Sequence, residues 1–106
     1  MDKNVKAKFE ARARIMKAMA HPSRLFILDE LSRGEKCVRE LTAMIGADVS
    51  TVSKHLSLLR NAGIVEADKR GTQIYYRLTA PCVLNFFNCV ETVLKDNVAS
   101  QLRMLA

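Results

Sequence analysis

Apolar residues return along the first twenty positions at Val5, Phe9, Ala13, Met16 and Ala20, in steps of four, four, three and four. That spacing predicts an amphipathic helix over Val5 to Ala20, with charged residues on its other face. His21-Pro22 interrupts it, because the residue before a proline is pushed out of the α region. Pro22 suits the first turn of a second helix, where its missing N–H would have no partner. Leu25, Phe26, Leu28 and Leu31 carry that helix towards Gly34. A short third helix follows from Cys37 to Ile45, with Val38, Leu41 and Ile45 facing inward and Gly46 breaking it. The fourth is the best marked. Asp48 can cap its first turn, Val52, Leu56 and Leu59 share one face, and Asn61-Ala62-Gly63 closes it. It should run from about Val49 to Asn61.

The period then drops from 3.6 to two. Ile64 to Ala67 reads as a strand, Asp68-Lys69-Arg70-Gly71 as a turn, and Thr72 to Leu78 as the returning strand. In the second strand Ile74, Tyr76 and Leu78 point one way, and Gln73, Tyr75 and Arg77 the other. A final helix starts at Thr79 or Ala80, with Pro81 in its first turn. Val83, Phe86, Phe87, Val90, Val93, Leu94 and Val98 make it strongly apolar. The expected fold is mainly α with a small β-hairpin: four helices, two strands and a helix, one domain over residues 1–106. Three helices followed by a two-stranded ribbon is winged helix–turn–helix organisation.

The polar residues give this outline a use. Leu41 to Gly63 holds a short helix, a tight turn at Gly46-Ala47-Asp48 and a second helix. Ser50, Thr51, Ser53, Lys54 and Ser57 remain on the outer side of that second helix, with Arg60 behind them. Short hydroxyl side chains let a helix approach base edges in a major groove about 12 Å wide, while a lysine meets phosphate. Lys69 and Arg70 sit at the hairpin turn, and Gln73 and Tyr75 point outward from its second strand. His55 either touches the nucleic acid or hydrogen-bonds backbone within the helix pair. Double-stranded DNA is the expected partner.

Charge agrees with this. The chain carries 17 lysines and arginines against 11 acids, a net of +6. Seven basic side chains against two acids fall in residues 1–24, and five against three in residues 48–77. Positive charge gathered in two places suits a phosphate footprint. No window approaches the roughly 18 apolar residues of a membrane span, and the N-terminal residues lack the apolar core of a secretion signal. A cytoplasmic protein with no membrane partner is expected, so its three cysteines should be reduced and serve as metal ligands, redox groups or buried fillers. No Ser/His/Asp set, carboxylate pair or Gly-rich phosphate loop points to catalysis.

His21-Pro22-Ser23-Arg24-Leu25, Val38-x-Glu40-Leu41, Ser50-Thr51-Val52-Ser53-Lys54-His55-Leu56, Leu59 to Val65 and Tyr75-Tyr76-Arg77-Leu78 together resemble the ArsR/SmtB family of bacterial winged-helix repressors. The resemblance covers about residues 11–78. It implies a homodimer joined through the first and last helices, seated on an operator until an inducer arrives. The apolar stripes of those two helices suit such a dimer independently. One departure concerns DNA reading. Members often carry glutamine near the start of the recognition helix, where this chain has Val49. Valine cannot make a bidentate adenine contact but can meet a thymine methyl.

The family senses metals, arsenicals or sulfur species at different sites. Its zinc-type site on the last helix needs Asp and His ligands, and residues 79–106 contain no histidine. Its arsenic-type site uses Cys-x-Cys at the start of the third helix, where this chain has Cys37-Val38-Arg39. Cys82 and Cys89 can stand in for the missing thiol. Three thiolates suit soft ions such as As(III) or Sb(III), with no obligatory cofactor. On one continuous helix Cys82 and Cys89 share a face but lie about 10 Å apart along the axis. Ligating one ion together therefore needs an unwound helix start or a thiol from the second subunit. Thiol oxidation or persulfide formation is the competing signal.

Overall fold

In the computed structural model, which describes residues 1–105, local chemistry sets most element ends. The first helix, α1 (Lys3–Met19), is capped by Asp2, whose carboxylate accepts the Val5 N–H at 2.8 Å. α2 (Pro22–Leu31) starts with extended His21 as its cap and Pro22 in its first turn; His21 Nδ1 accepts the Ser23 N–H at 3.0 Å. α3 (Val38–Ile45) ends at Gly46, whose φ of 77° places it in the left-handed region that glycine enters without a Cβ penalty. Asp48 caps α4 (Val49–Asn61), accepting the Thr51 N–H at 2.7 Å. Beyond α4, Ile64 N–H returns to Leu59 O and Gly63 N–H to Arg60 O, with Gly63 at φ 80°. The recognition helix thus has the bounds its sequence announced.

The sheet differs from expectation in two ways. A two-residue strand, β1 (Lys36–Cys37), precedes α3, so that Cys37 serves as the helix cap rather than its first residue. The hairpin strands β2 (Val65–Arg70) and β3 (Gln73–Leu78) pair antiparallel from Val65↔Leu78 to Arg70↔Gln73. Its turn is therefore Gly71-Thr72 and not the Asp68–Gly71 stretch, and Gly71 supplies the positive φ of 63° that a two-residue loop requires. β3 lies in the middle, with Lys36↔Tyr76 and Cys37↔Tyr75 joining β1 to its other edge.

α5 (Val83–Leu105) also starts later than expected. Val83, Leu84 and Asn85 donate to the carbonyls of Ala80, Pro81 and Cys82, each three residues back, so Pro81 and Cys82 form a tight turn before the helix.

Ile27, Leu28, Leu41, Val52, Leu56 and Leu59 are fully buried and bring α2, α3 and α4 together. Ile64, Val65, Tyr76 and Val83 close this core from the hairpin and the start of α5. Tyr76, not Tyr75, is the core tyrosine, as strand alternation requires. Past Val83, α5 leaves the core. Phe86, Val90, Val93, Leu94, Val98 and Leu102 are exposed, as are Val5, Phe9 and Met16 on α1. An apolar groove of about 690 Å³ runs between the end of α1, α2 and α5, with Met16, Met19, Phe26, Phe86, Phe87 and Leu94 in its walls. Among the described residues, no helix is long and apolar enough to cross a membrane.

Candidate nucleic-acid interface

The buried stripe of α4 dictates what its other side displays. Val52, Leu56 and Leu59 turn inward, which leaves Val49, Ser50, Thr51, Lys54, Ser57 and Arg60 exposed and Ser53 half-buried. Asp48 organises the helix start. Its Oδ1 accepts the Thr51 N–H at 2.7 Å and the Ser50 hydroxyl at 2.8 Å. These bonds, the Thr51 amide first, hold the Asp48 carboxyl below the usual carboxylate range. The Ser50 proton is thereby committed to the cap, and its lone pairs are left to accept from a base amine.

His55 takes a place that neither sequence reading gave it. It is half-buried towards α2, where Arg24 Nη1 lies 3.1 Å from its Nδ1 and the His21 ring lies 4.5 Å away, tilted by 42°. Arg24 donates in this bond, so the neutral ring carries its proton on Nε2. Burial, followed by the neighbouring His21 and Arg24, pushes the His55 pKa down. The Arg24 Nε is buried without a hydrogen-bond partner among the described residues. His55 faces α2 and not the exposed serine side of α4, and it ties the recognition helix to the α1–α2 corner.

The two basic residues near the hairpin tip also part company. Lys69 is exposed and has no ion pair among the described residues. Arg70 makes a two-pronged pair with Glu35, with Nη2–Oε2 at 2.9 Å, and its Nε meets Asp68 at 3.1 Å. Its guanidinium lies 4.8 Å from the centre of the Tyr75 ring, a cation–π contact. The Arg70 hydrogen bonds hold the Glu35 carboxyl below its ordinary range, and Glu35 in turn raises the Arg70 pKa. Arg77 is likewise paired with Glu66 at 3.0 Å. Arg70 and Tyr75 therefore brace the wing against the loop before β1.

A cleft of about 480 Å³ separates the start of α4 from the wing. Val49 and Ser53 line it from α4 and Gln73 and Ile74 from the wing, with Val38, Arg39 and Ala43 contributed by α3. The structure thus brings Ser53 and Gln73 to one opening. It also adds Arg39, an exposed cation without an ion pair among the described residues. In the sequence Arg39 figures in the cysteine chemistry, where it replaces a second thiol and lies beside Cys37, and not as a DNA contact. Its position one helix before the turn was the available signal.

The cysteines are dispersed. Cys37 is buried, and its N–H is held by Glu40 Oε1 at 3.2 Å; that amide is the main reason the Glu40 carboxyl lies below its usual range. Cys82 in the turn before α5 and Cys89 within the helix are exposed, and all three thiols are free. With α5 continuous from Val83, Cys82 and Cys89 stay two turns, about 10 Å, apart. Among the described residues, no three His, Cys, Asp or Glu side chains are grouped to hold a metal ion. One protomer by itself does not fit a three-thiolate site.

A capped helix–turn–helix with a polar outer face, followed by a braced hairpin, defines the winged helix–turn–helix class. Residues 21–67 match the family model described as bacterial regulatory protein, arsR family. The chain is 38% identical over 81 residues to the biofilm growth-associated repressor of Xylella fastidiosa, covering 76% of this chain and 71% of that protein. It is also 38% identical over 87 residues to an HTH-type transcriptional regulator of Mycobacterium tuberculosis, and spans 82% of its own length but 38% of that relative's. Among solved structures, NolR from Sinorhizobium fredii superposes with a TM-score of 0.80 at 30% identity, over 88% of this chain and 93% of that one. A domain from Mycobacterium bovis, described as a homodimeric winged helix–turn–helix DNA-binding domain, gives 0.77 at 34% identity, covering 92% and 91%. The chain belongs to the ArsR family of bacterial regulatory proteins.

Proposed function

We propose that this chain is a cytoplasmic, homodimeric transcriptional repressor. It inserts α4 into the major groove of an operator and is released when a thiophilic ion, arsenite or antimonite, binds its cysteine thiolates. The observation that carries the DNA-binding part is the outward face of α4, where Ser50, Thr51, Ser53, Lys54, Ser57 and Arg60 stand together opposite a fully apolar seat. Lys69 and Gln73 add wing contacts, while Arg70, Tyr75 and His55 hold the reading surface in place. The exposed apolar faces of α1 and α5 suit a second copy of the chain, since together they leave more apolar surface than one small core absorbs. Two copies would set two α4 helices about one turn of DNA apart.

The inducer reading rests on Cys82 and Cys89, both exposed near the start of α5, with Cys37 as the third thiol of the set. Because one chain does not gather them, thiols from both subunits would have to converge on the ion. Sodium arsenite is titrated into the reduced protein bound to the duplex upstream of its own coding region, with hydrogen peroxide as the parallel arm. The expected result is release by arsenite that Cys89→Ser or Cys82→Ser abolishes. Arsenite that leaves the complex intact would overturn this inducer, and reductant-reversible release by peroxide alone would put thiol oxidation in its place.

A further inference from the structure

Val49 is out of keeping with the rest of the outer face of α4. It is the first residue of α4 after the Asp48 cap, on a side otherwise formed by hydroxyls and cations, yet it is 58% exposed. The core does not need it, since Val52, Leu56 and Leu59 already fill the seat beneath the helix. Across the cleft stands a second uncovered aliphatic residue, Ile74 of β3, 39% exposed. Ile74 lies on the strand face that turns Tyr76 into the core, but two residues further out, where the core has ended. Ser53 and Gln73 flank the pair, and Arg39 lies close by.

An apolar spot at the start of a recognition helix has few things to read. Residues there meet base edges in helix–turn–helix complexes, and the major-groove edge of DNA offers one aliphatic feature, the thymine 5-methyl group. We infer that Val49, with Ile74 across the cleft from it, reads thymine methyl groups, so that operator selection at these positions discriminates thymine from cytosine by shape and not by a bidentate hydrogen bond. Arg39 in the cleft's lining and the exposed Lys54 of α4 favour a nucleic acid over an apolar protein partner at this opening. Ser53 and Gln73 remain free to hydrogen-bond the neighbouring base pair. This inference rests on the DNA-binding reading above.

Deoxyuridine removes the methyl and leaves the pairing and hydrogen-bond pattern of thymine unchanged. The promoter duplex is footprinted at low salt and resynthesised with deoxyuridine in place of the thymines under each α4. Burying one methyl corresponds to about a four-fold change in affinity, so the two half-sites of a dimer should lose about fifteen-fold. Val49→Ala should lose most of the preference and Ile74→Ala a smaller part; both positions are exposed, and unchanged thermal melting shows that the fold is intact. Equal wild-type affinity for the two duplexes would overturn the inference alone. So would a preference that Val49→Ala leaves undiminished. If neither duplex binds at low salt, the DNA-binding reading falls and the inference falls with it.

Discussion

Replacing Lys69 by alanine should flatten the salt dependence of DNA binding, whereas replacing Arg70 should leave it nearly unchanged. Each phosphate neutralised by a protein cation contributes about −0.9 to the slope of log K against log salt. Lys69 has no ion pair among the described residues, so its removal from both protomers of a dimer should reduce the slope by about 1.8. Over a four-fold rise in salt, that is about a twelve-fold change in the wild-type advantage over Lys69→Ala. Arg70 is already neutralised by Glu35 and Asp68, so it has little charge to offer a phosphate. Glu35→Gln breaks the two-pronged pair, leaves Arg70 its Asp68 contact alone, and should steepen the slope by less than about 1.8. The assay is fluorescence anisotropy with a labelled promoter duplex across a salt series. An Arg70→Ala slope that drops as far as that of Lys69→Ala would refute the reasoning, since the Glu35 pair would then dissolve on DNA.

Other consequences are as direct. Leu56→Ala empties a fully buried position beneath the recognition helix and should cost about 2–5 kcal/mol, read as a lowered urea midpoint, while exposed Ser57→Ala should leave the midpoint in place. His55 has its pKa held below the ordinary 6.5 by burial first, then by His21 and Arg24, so folding excludes its proton. Its contribution to stability is complete above about pH 6.5 and declines as the pH falls below that value; denaturation at pH 7 and pH 5 should show a smaller loss for His55→Gln than for wild type. Leu94→Lys places a charge on the exposed apolar face of α5, and sedimentation should show monomers with weakened operator affinity. A dimer unaffected by Leu94→Lys would argue against the α1–α5 seam.

What was legible in the sequence was whatever neighbouring residues decide among themselves. Asp48, the Val52–Leu56–Leu59 spacing and Gly63 specify α4 within one stretch of chain, and its observed bounds match. β1 was not legible, because two residues show no period and their ladder partners, Tyr75 and Tyr76, lie some forty residues on. The same distance hid the fate of Arg70. Its pairing with Glu35 spans 35 positions, and without that pair Asp68–Gly71 reads as a turn. His55 was read against its own helix and against DNA, whereas Arg24, 31 residues away, holds it. The cysteines were counted correctly, but their dispersal belongs to the tertiary structure. Polar and thiol chemistry could be named from the chain; which groups are already engaged could not.

The pairing of β1 with β3, together with the Glu35–Arg70 brace, bears on how such a regulator could be re-engineered. The outer residues of α4 can be exchanged in a block, because they touch little besides the cap and solvent. The wing is not an independent module. A hairpin grafted from a relative would arrive without the loop that pins its tip and the short strand that packs beside it, leaving Glu35 without its Arg70 counterion. Transplants should therefore carry residues 35–37 with the hairpin, and chimeras that exchange residues 65–78 alone should present a correctly formed reading helix beside a wing held at the wrong angle.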